Sequence, residues 1–252
     1  MKVLLTSCPT YGHFYPLIPL AWALRSNGHE LLAAMPGSFA EVAIACGIPA
    51  VKLNDSNPFY GTDAAGASTE HKVWGSETDG SHASRISKAV VDHVIDAYVP
   101  ISRTIADSML ELCDTWQPDL ILHTPWEYSA EIAATTLDIP RITHGWGVSL
   151  PPELAAAEAT ALEPMLKIYA SQATSVPSPL HIHICSPSMQ FPDASPSRMH
   201  MRYIPFNGAA LSQPWHTRRG ARPRLVVSIG SVAIENGHAI LLGRIVSGVG
   251  GV

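Results

Sequence analysis

Apolar and polar positions alternate along the chain in a way that predicts strands followed by helices. Lys2–Thr6 is a short apolar run typical of a buried strand, and similar runs follow at Glu30–Met35, Ile48–Leu53, Leu120–His123 and Arg141–Gly145. Between them lie stretches with apolar residues at helical spacing. Such alternation predicts right-handed crossovers and a Rossmann-like α/β fold, a parallel sheet with helices on both faces.

The later part of the chain continues this pattern less regularly. Helices are predicted over Arg85–Trp116, Glu127–Leu137 and Pro151–Gln172, and Pro100 and Pro164 predict a break or kink in the first and third. His181–Cys185 and Met201–Pro205 are typical of two further short strands. The polar stretch from Asn54 to about Ser84 predicts a long functional or mobile loop.

A change in composition predicts a domain boundary near residue 209. Residues 1–208 form the first predicted domain, and 209–223, rich in Pro, Arg and Gly, are typical of an interdomain linker. Residues 224–252 predict a strand over Arg224–Ser231 and a helix from about His238. One strand and one helix are too few for a domain. We therefore expect the beginning of a second α/β domain that is cut short.

Composition narrows the function classes. Hydrophobic residues make up 46% and charged residues 15%, which predicts a well-packed core. The net charge of −5 and the absence of a basic run argue against nucleic acid as a partner. No apolar run approaches the ~18 residues of a membrane span. The four isolated cysteines support neither a zinc site nor a disulfide framework, and we expect a cytoplasmic protein.

Thr10–Glu30 contains a turn and helix with a distinctive order of residues. The positions that form this motif are Gly12, His13, Pro16, Pro19, Leu20, Ala21, Ala23, Leu24, Gly28, His29 and Glu30. With the later sequences HGWG at 144–147 and YIPFNG at 203–208, the chain resembles the inverting natural-product glycosyltransferases of the GT-B type. Within that family it is most similar to the transferases that attach deoxysugars from dTDP-sugars to macrolide and other polyketide aglycones.

The resemblance implies two facing Rossmann-like domains, the first for the acceptor and the second for the sugar nucleotide. It implies inverting transfer of a deoxysugar from an NDP-sugar, dTDP-linked, to a hydroxyl of an apolar aglycone. The co-substrate is the sugar nucleotide, and no further cofactor or metal is expected. An auxiliary activator protein and a homodimer both stay open. Because the family's donor signature is not found, we expect that the 252-residue chain alone transfers no sugar.

His13 is the main candidate for chemistry. It follows the first strand, where parallel sheets bind their ligands, and histidine is suited to removing a hydroxyl proton. Placement alone also allows a histidine that only packs at the helix start. In the family, an acidic residue after the fourth strand orients this histidine. Thr124 stands near that position here, so Glu127 is the candidate acid, and it could equally be a first-turn helix residue favoured by the dipole.

Aromatic residues in the predicted loops suggest an acceptor pocket for a flat or macrocyclic aglycone. With the neighbouring Gly12 and Thr124, the candidate acceptor-binding residues are Tyr11, Gly12, Phe14, Phe59, Tyr60, Trp74, Thr124, Trp126 and Trp146. Each aromatic alone is more often explained by packing in the core or in a loop. In the family, the turn at Gly230 and Ser231 approaches the donor diphosphate. His181 and His183 share one strand face but have no evident third metal ligand.

Two other function classes compete with sugar transfer. The first is a non-catalytic module that binds an apolar ligand or a partner chain, which the expected truncation favours. The second is a nicotinamide-dependent oxidoreductase. The first strand is followed by TSCPTYGH, which lacks the glycine-rich phosphate turn that such enzymes require.

Overall fold

The computed structural model describes residues 1–55, 88–149, 152–169, 180–190, 198–218, 220, 224–229 and 240–249. Its strands are β1 (Lys2–Thr6), β2 (Glu30–Met35), β3 (Ala50–Lys52), β4 (Leu120–His123), β5 (Arg141–His144), β6 (Leu180–His183) and β7 (Arg198–His200). They form one parallel sheet of seven strands in the order β3-β2-β1-β4-β5-β6-β7. The Rossmann-like parallel sheet predicted from the sequence is confirmed.

Helices connect these strands. In chain order, the helices up to residue 200 are α1 (Tyr11–Phe14), α2 (Ile18–Ser26), α3 (Phe39–Ala45), α4 (Lys88–Trp116), α5 (Tyr128–Leu137) and α6 (Pro152–Tyr169), with short 3₁₀ helices at Tyr15–Leu17 and Pro187–Met189. No helix among the described residues is long and apolar enough to cross a membrane.

Both faces of the sheet are covered by helices because the central strand β1 is apolar on both sides. Val3 and Leu5 are fully buried on one face, in a core with residues of α2 and α3. Leu4 points to the opposite face, where it is buried among residues of α4 and α5. Successive side chains of a strand point to opposite faces, so an unbroken apolar run is what a strand covered on both sides requires.

The two interior prolines do not break their helices. The helix α4 continues through Pro100, and α6 continues through Pro164, so a break at either proline is wrong, while a kink stays a prediction. Both prolines are exposed. At such positions water can bind the helix carbonyl that loses its hydrogen bond, while packing of the buried face keeps the residues on both sides helical.

The last strand of the sheet lies earlier than predicted. Arg198–His200 pairs with β6, and Met201–Pro205 has no strand structure, so the predicted strand at 201–205 is wrong. The backbone N–H of Met201 still donates to the carbonyl oxygen of His183 at 2.8 Å. Because β6 ends at His183, which pairs with His200, the residues after His200 have no further strand partner among the described residues.

The described residues up to Ala209 belong to one compact unit, and those from Ala210 onward belong to another. In the second unit a helix spans Ile240–Val249, as expected, but residues 224–229 form no strand. Leu225 and Val226 are exposed there, so the buried strand predicted for this segment is wrong. Among the described residues no strand lies beside residues 224–229, and a strand needs a neighbour for its backbone hydrogen bonds. The domain boundaries drawn from the sequence stay a prediction.

Candidate active site

The order of the strands reverses direction at β1. From β1 the chain passes to β2 on one side, while β4, the neighbour on the other side, leads outward to β5. The connections after β1 and β4 therefore diverge at the carboxyl end of the sheet, which is where open α/β sheets bind ligands. His13 lies on the first of these connections and Trp126 on the second.

His13 is packed among three aromatic side chains. Its ring is stacked against that of Trp146, with centroids 4.7 Å apart and planes inclined by 27°. The ring of Trp126 lies 5.2 Å from it and that of Tyr98 lies 6.1 Å away. Trp126 and Trp146 also contact each other edge to face at 5.2 Å. We refer to these four side chains as the aromatic site.

Burial keeps the His13 imidazole neutral. The side chain is only 8% exposed, and Nδ1 is buried without a hydrogen-bond partner. Burial lowers the pKa of His13 to about 4, against the opposing effect of the nearby carbonyl of Pro125. At neutral pH the ring therefore has a free lone pair for accepting a proton. The neutral imidazole is the form that can act as a general base, although a pKa this low makes it a weaker base than an imidazole that titrates near neutral pH.

Each wall of the aromatic site comes from a different connection. Tyr98 belongs to α4, Trp126 follows β4, and Trp146 follows β5. Gly145 allows the close approach that places Trp146, because a Cβ added there would lie 3.3 Å from the carbonyl oxygen of Ile182. The backbone N–H of Gly145 donates to that oxygen at 2.8 Å, which fixes the end of β5 against β6.

The turn that holds Trp126 has an unusual backbone. The N–H of Glu127 donates to the carbonyl oxygen of Thr124 at 3.4 Å, with Pro125 at the second position of the turn. Trp126, at the third position, has a φ of 69°. A positive φ at this position is typical of a type II turn, in which glycine ordinarily occupies it. Backbone strain of this kind concentrates at functional sites, where the surrounding structure enforces it.

The two candidate partners of His13 are engaged elsewhere. Thr124 is fully buried and donates from Oγ1 to Ser7 Oγ at 3.1 Å. Glu127 is the N-cap of α5, where its carboxylate accepts hydrogen bonds from the Ser129 hydroxyl and from the Ala130 N–H. Among the described residues, no hydrogen bond or ion pair joins either side chain to His13. The expected His13–Glu127 pair is therefore not formed, because the carboxylate is hydrogen-bonded within the N-cap of α5 instead.

The other predicted site residues are distributed unevenly. Tyr11 is 46% exposed and lies against Tyr15 and Phe39, and Gly12 has open space beside it. Phe14 is fully buried in the core against Phe39, so it does not line the aromatic site. Phe59, Tyr60, Trp74, Gly230 and Ser231 lie outside the described residues, as does nearly all of the loop predicted at 54–84.

The two histidines on β6 lie beside each other, and one of them is close to Ser149. His181 and His183 lie on one face with ring centroids 6.0 Å apart, as the sequence predicts. Nδ1 of His183 lies 3.3 Å from Ser149 Oγ. In the part of the chain that the structure describes, no group of three metal-ligating side chains is present.

One functional candidate was missed by the sequence reasoning. Glu158 lies on α6, and its carboxylate accepts a hydrogen bond of 2.9 Å from the hydroxyl of Tyr128. Burial raises the pKa of Glu158 to about 7, with Glu131 acting in the same direction. The sequence carries no signal for this proximity, because α6 is brought to the site only by packing between helices.

Comparison with known proteins places this geometry in a family. Residues 22–230 match the family described as erythromycin biosynthesis protein CIII-like, N-terminal domain. The chain belongs to this family.

Curated relatives of this chain carry the names of sugar transferases. It is 30% identical to the L-demethylnoviosyl transferase of Streptomyces niveus, over 92% of this chain and 57% of that protein. It is also 30% identical to the elloramycin glycosyltransferase ElmGT of Streptomyces olivaceus, over 92% of this chain and 58% of that protein. The chain thus spans less than two thirds of the length of these relatives.

Solved structures agree with the fold. The spinosyn rhamnosyltransferase SpnG, complexed with thymidine diphosphate, superposes with a TM-score of 0.73 at 25% identity, covering 96% of this chain and 60% of that one. The Streptomyces sp. SF2575 glycosyltransferase SsfS6 gives 0.68 at 28% identity, covering 88% of this chain and 60% of that one. The chain therefore has the fold of the N-terminal domain of GT-B glycosyltransferases.

Proposed function

We propose that this chain carries the acceptor site of a glycosyltransferase that moves a deoxysugar from a dTDP-sugar to a hydroxyl group of an apolar natural-product aglycone. The observation that carries the proposal is the neutral, buried imidazole of His13, which follows the carboxyl end of β1 and contacts Tyr98, Trp126 and Trp146. Aromatic walls with few polar groups are typical of sites for apolar ligands.

The proposed reaction is a direct displacement with inversion. The acceptor oxygen attacks the anomeric carbon, the bond from that carbon to the diphosphate oxygen breaks, and the hydroxyl proton passes to His13. The leaving diphosphate keeps the electron pair of the broken bond. His13 has the free lone pair that this step requires, and the surrounding rings would exclude water from it.

The relatives support the donor class without assigning it to this chain. One relative is named an L-demethylnoviosyl transferase, another is named a 10-deoxymethynolide desosaminyltransferase, and SpnG was solved with thymidine diphosphate. A dTDP-deoxysugar is accordingly the first donor to test. An activator protein or a second copy of the chain stays a prediction.

The test is the kinetics of His13→Ala in the enzyme that contains this chain. We expect kcat to fall by roughly 10²–10⁴, the usual contribution of a general base, while the acceptor KM changes little. His200→Ala is the matched control, because His200 is an exposed histidine on β7. Near-normal turnover by His13→Ala would refute the assignment. Tight acceptor binding without any turnover by the wild type would favour the non-catalytic module instead.

A further inference from the structure

Helix α6 packs directly against the residues that form the aromatic site. Its Leu162 and Met165 are buried in one cluster with Tyr128 of α5. Tyr98 and Trp126, two walls of the aromatic site, pack against the same cluster. A change in the position of α6 or of Tyr128 would therefore be transmitted to the rings that contact His13.

Tyr128 connects three helices at this point. Its backbone N–H, in the first turn of α5, donates to Ser102 Oγ of α4 at 3.1 Å. Its hydroxyl donates to Glu158 Oε1 of α6 at 2.9 Å. Tyr128 is 4% exposed and lies two residues after Trp126, whose backbone has the positive φ described above. These two hydrogen bonds fix the end of the strained turn from both sides.

The charge of Glu158 is unfavourable for the folded chain. Burial raises its pKa to about 7 from an ordinary value of 4.5, so ionisation near neutral pH occurs at a cost in stability. The folded state holds the proton of Glu158 more tightly than the unfolded state does. The stabilisation that the protonated carboxyl provides is therefore lost as the pH rises from about 4.5 through about 7. A carboxylate kept at such a cost, beside a candidate active site, suggests a functional reason.

The surroundings of Glu158 contain few other groups that could account for its ionisation. Tyr128 and Glu131 face it from α5, and the Cys8 thiol lies near it on the connection after β1. The indole of Trp126 also lies near the carboxylate and, like the Tyr128 hydroxyl, favours its ionised form. The charged residues Arg103 and Asp107 of α4 act on Tyr169, at the other end of α6. Glu163 pairs with Lys167 on the exposed side of α6, at 2.7 Å. None of these contacts gives Glu158 a cationic partner among the described residues.

We propose that Glu158 is a positioning residue for the acceptor site, which acts through the Tyr128 hydroxyl to hold the turn that places Trp126 against His13. The inference rests on the proposed function. A hydrogen bond to an ionised carboxylate is stronger than one to a neutral group, so the ionised side chain holds Tyr128 more firmly than the protonated one. Acceptor affinity should therefore decrease when Glu158 takes up a proton.

The kinetic test compares Glu158→Ala, Glu158→Gln and Tyr128→Phe in the full chain of the enzyme. We expect Glu158→Ala and Tyr128→Phe to raise the acceptor KM about 10-fold with little change in kcat, and the double variant to add nothing further. Glu158→Gln should give an intermediate KM that no longer depends on pH between 6 and 8. The control Glu163→Gln should leave KM and its pH profile unchanged.

A second measurement needs no turnover. The fluorescence difference between the wild type and Trp126→Phe isolates the emission of Trp126. That emission should change with pH near 7 in the wild type and not in Glu158→Gln. If Glu158→Ala kept both the wild-type KM and the wild-type Trp126 signal, the positioning role would be wrong. A third outcome is possible, in which neither the wild type nor any variant transfers sugar, but the pH dependence of the Trp126 emission is still lost in Glu158→Gln. The proposed function would then fail, while the positioning contact would stand.

Stability separates this role from a purely structural one. Glu158→Gln removes the buried charge, so at pH 8 it should be at least as stable as the wild type in urea denaturation. A large loss of stability with unchanged acceptor KM would show that Glu158 only supports the fold and would overturn the proposal.

Discussion

The rings of His13 and Trp146 are stacked with their centroids 4.7 Å apart. Trp146 shields the imidazole from water, and burial is the largest cause of the low pKa of His13. We therefore expect the low pKa of His13 to depend on this aromatic neighbour, which follows a different strand. This relationship gives the first prediction.

Replacing Trp146 by alanine should raise the pKa of His13 from about 4 toward its ordinary value of 6.5. Water admitted to the ring stabilises the imidazolium, which is the form that burial disfavours. The titration of the His13 ring proton signals by NMR measures this change. Trp22→Ala, which removes an exposed tryptophan on α2, is the control and should leave the titration where it is. An unchanged pKa in Trp146→Ala would show that other groups exclude water from His13.

The backbone of Trp126 predicts an unusual order of stability for two substitutions. At φ of 69° an L-residue with a Cβ is strained, so Trp126→Gly should be more stable than Trp126→Ala by about 1 kcal/mol. Both lose the same packing of the indole ring. Urea denaturation of the two variants gives the difference directly. In the interior of α5, at Ala133, the order should reverse, with glycine less stable than alanine by up to about 1 kcal/mol.

Glu127 is expected to act on stability and not on turnover. Its carboxylate caps α5 through Ser129 and Ala130, so Glu127→Ala should lower the free energy of unfolding by roughly 0.5–2 kcal/mol. Glu127→Gln keeps an acceptor oxygen and should lose less. Steady-state kinetics of Glu127→Gln provide the counter-test, since a fall in kcat beyond about 10-fold would restore it as the acid that orients His13.

Buried histidines predict a loss of stability in weak acid. Burial lowers the pKa of His13 and His144 to about 4 and that of His123 to about 3. Below about pH 6.5 the unfolded chain takes up protons that the folded chain excludes, so the stabilisation present above pH 6.5 is lost as the pH falls toward 4. Each group contributes roughly 1–3 kcal/mol to this loss. Urea midpoints at pH 7.5 and pH 5 measure it.

His144 allows the acid effect to be checked at one position. It is fully buried, and neither ring nitrogen has a hydrogen-bond partner. His144→Leu removes both unpaired nitrogens, so the variant should be more stable than the wild type by about 1 kcal/mol at pH 7.5, and by more at pH 5. His200→Gln, at an exposed position, should change neither value. A loss of stability in His144→Leu at both pH values would indicate that the imidazole is paired in solution.

A contact between Gly208 and Tyr15 gives a last prediction. Gly208 has φ of +83°, and a Cβ added there would lie 2.8 Å from the Tyr15 hydroxyl oxygen. Gly208→Ala should therefore lower stability through both strain and overlap. Tyr15→Phe removes the overlapping oxygen, so in the Tyr15→Phe background the same substitution should have a smaller effect, by about 1 kcal/mol. If Gly208→Ala lowered stability equally in the wild type and in Tyr15→Phe, backbone strain at residue 208 would be the sole cause of the loss.

The sequence predicted the framework of the sheet and the position of His13 but not the contacts between helices. Apolar runs identify β1, β2, β4 and β5 because strands covered on both faces must be continuously apolar. The role of Glu127 and the nearness of Glu158 to the site depend on which hydrogen bonds form after packing, and periodicity carries no such information. The continuity of α4 through Pro100 has the same origin, since packing overrides a local helix breaker.

The walls of the aromatic site come from three connections, while the sheet beneath them is built by other residues. Connections tolerate sequence change far better than buried strands do. Related enzymes could therefore acquire new acceptors by exchanging one wall at a time on an unchanged scaffold. The walls also touch, with Trp126 lying 5.0 Å from Tyr98 and 5.2 Å from Trp146, so the effect of each exchange depends on the other two. Attempts to redirect such a site should accordingly vary the three positions together.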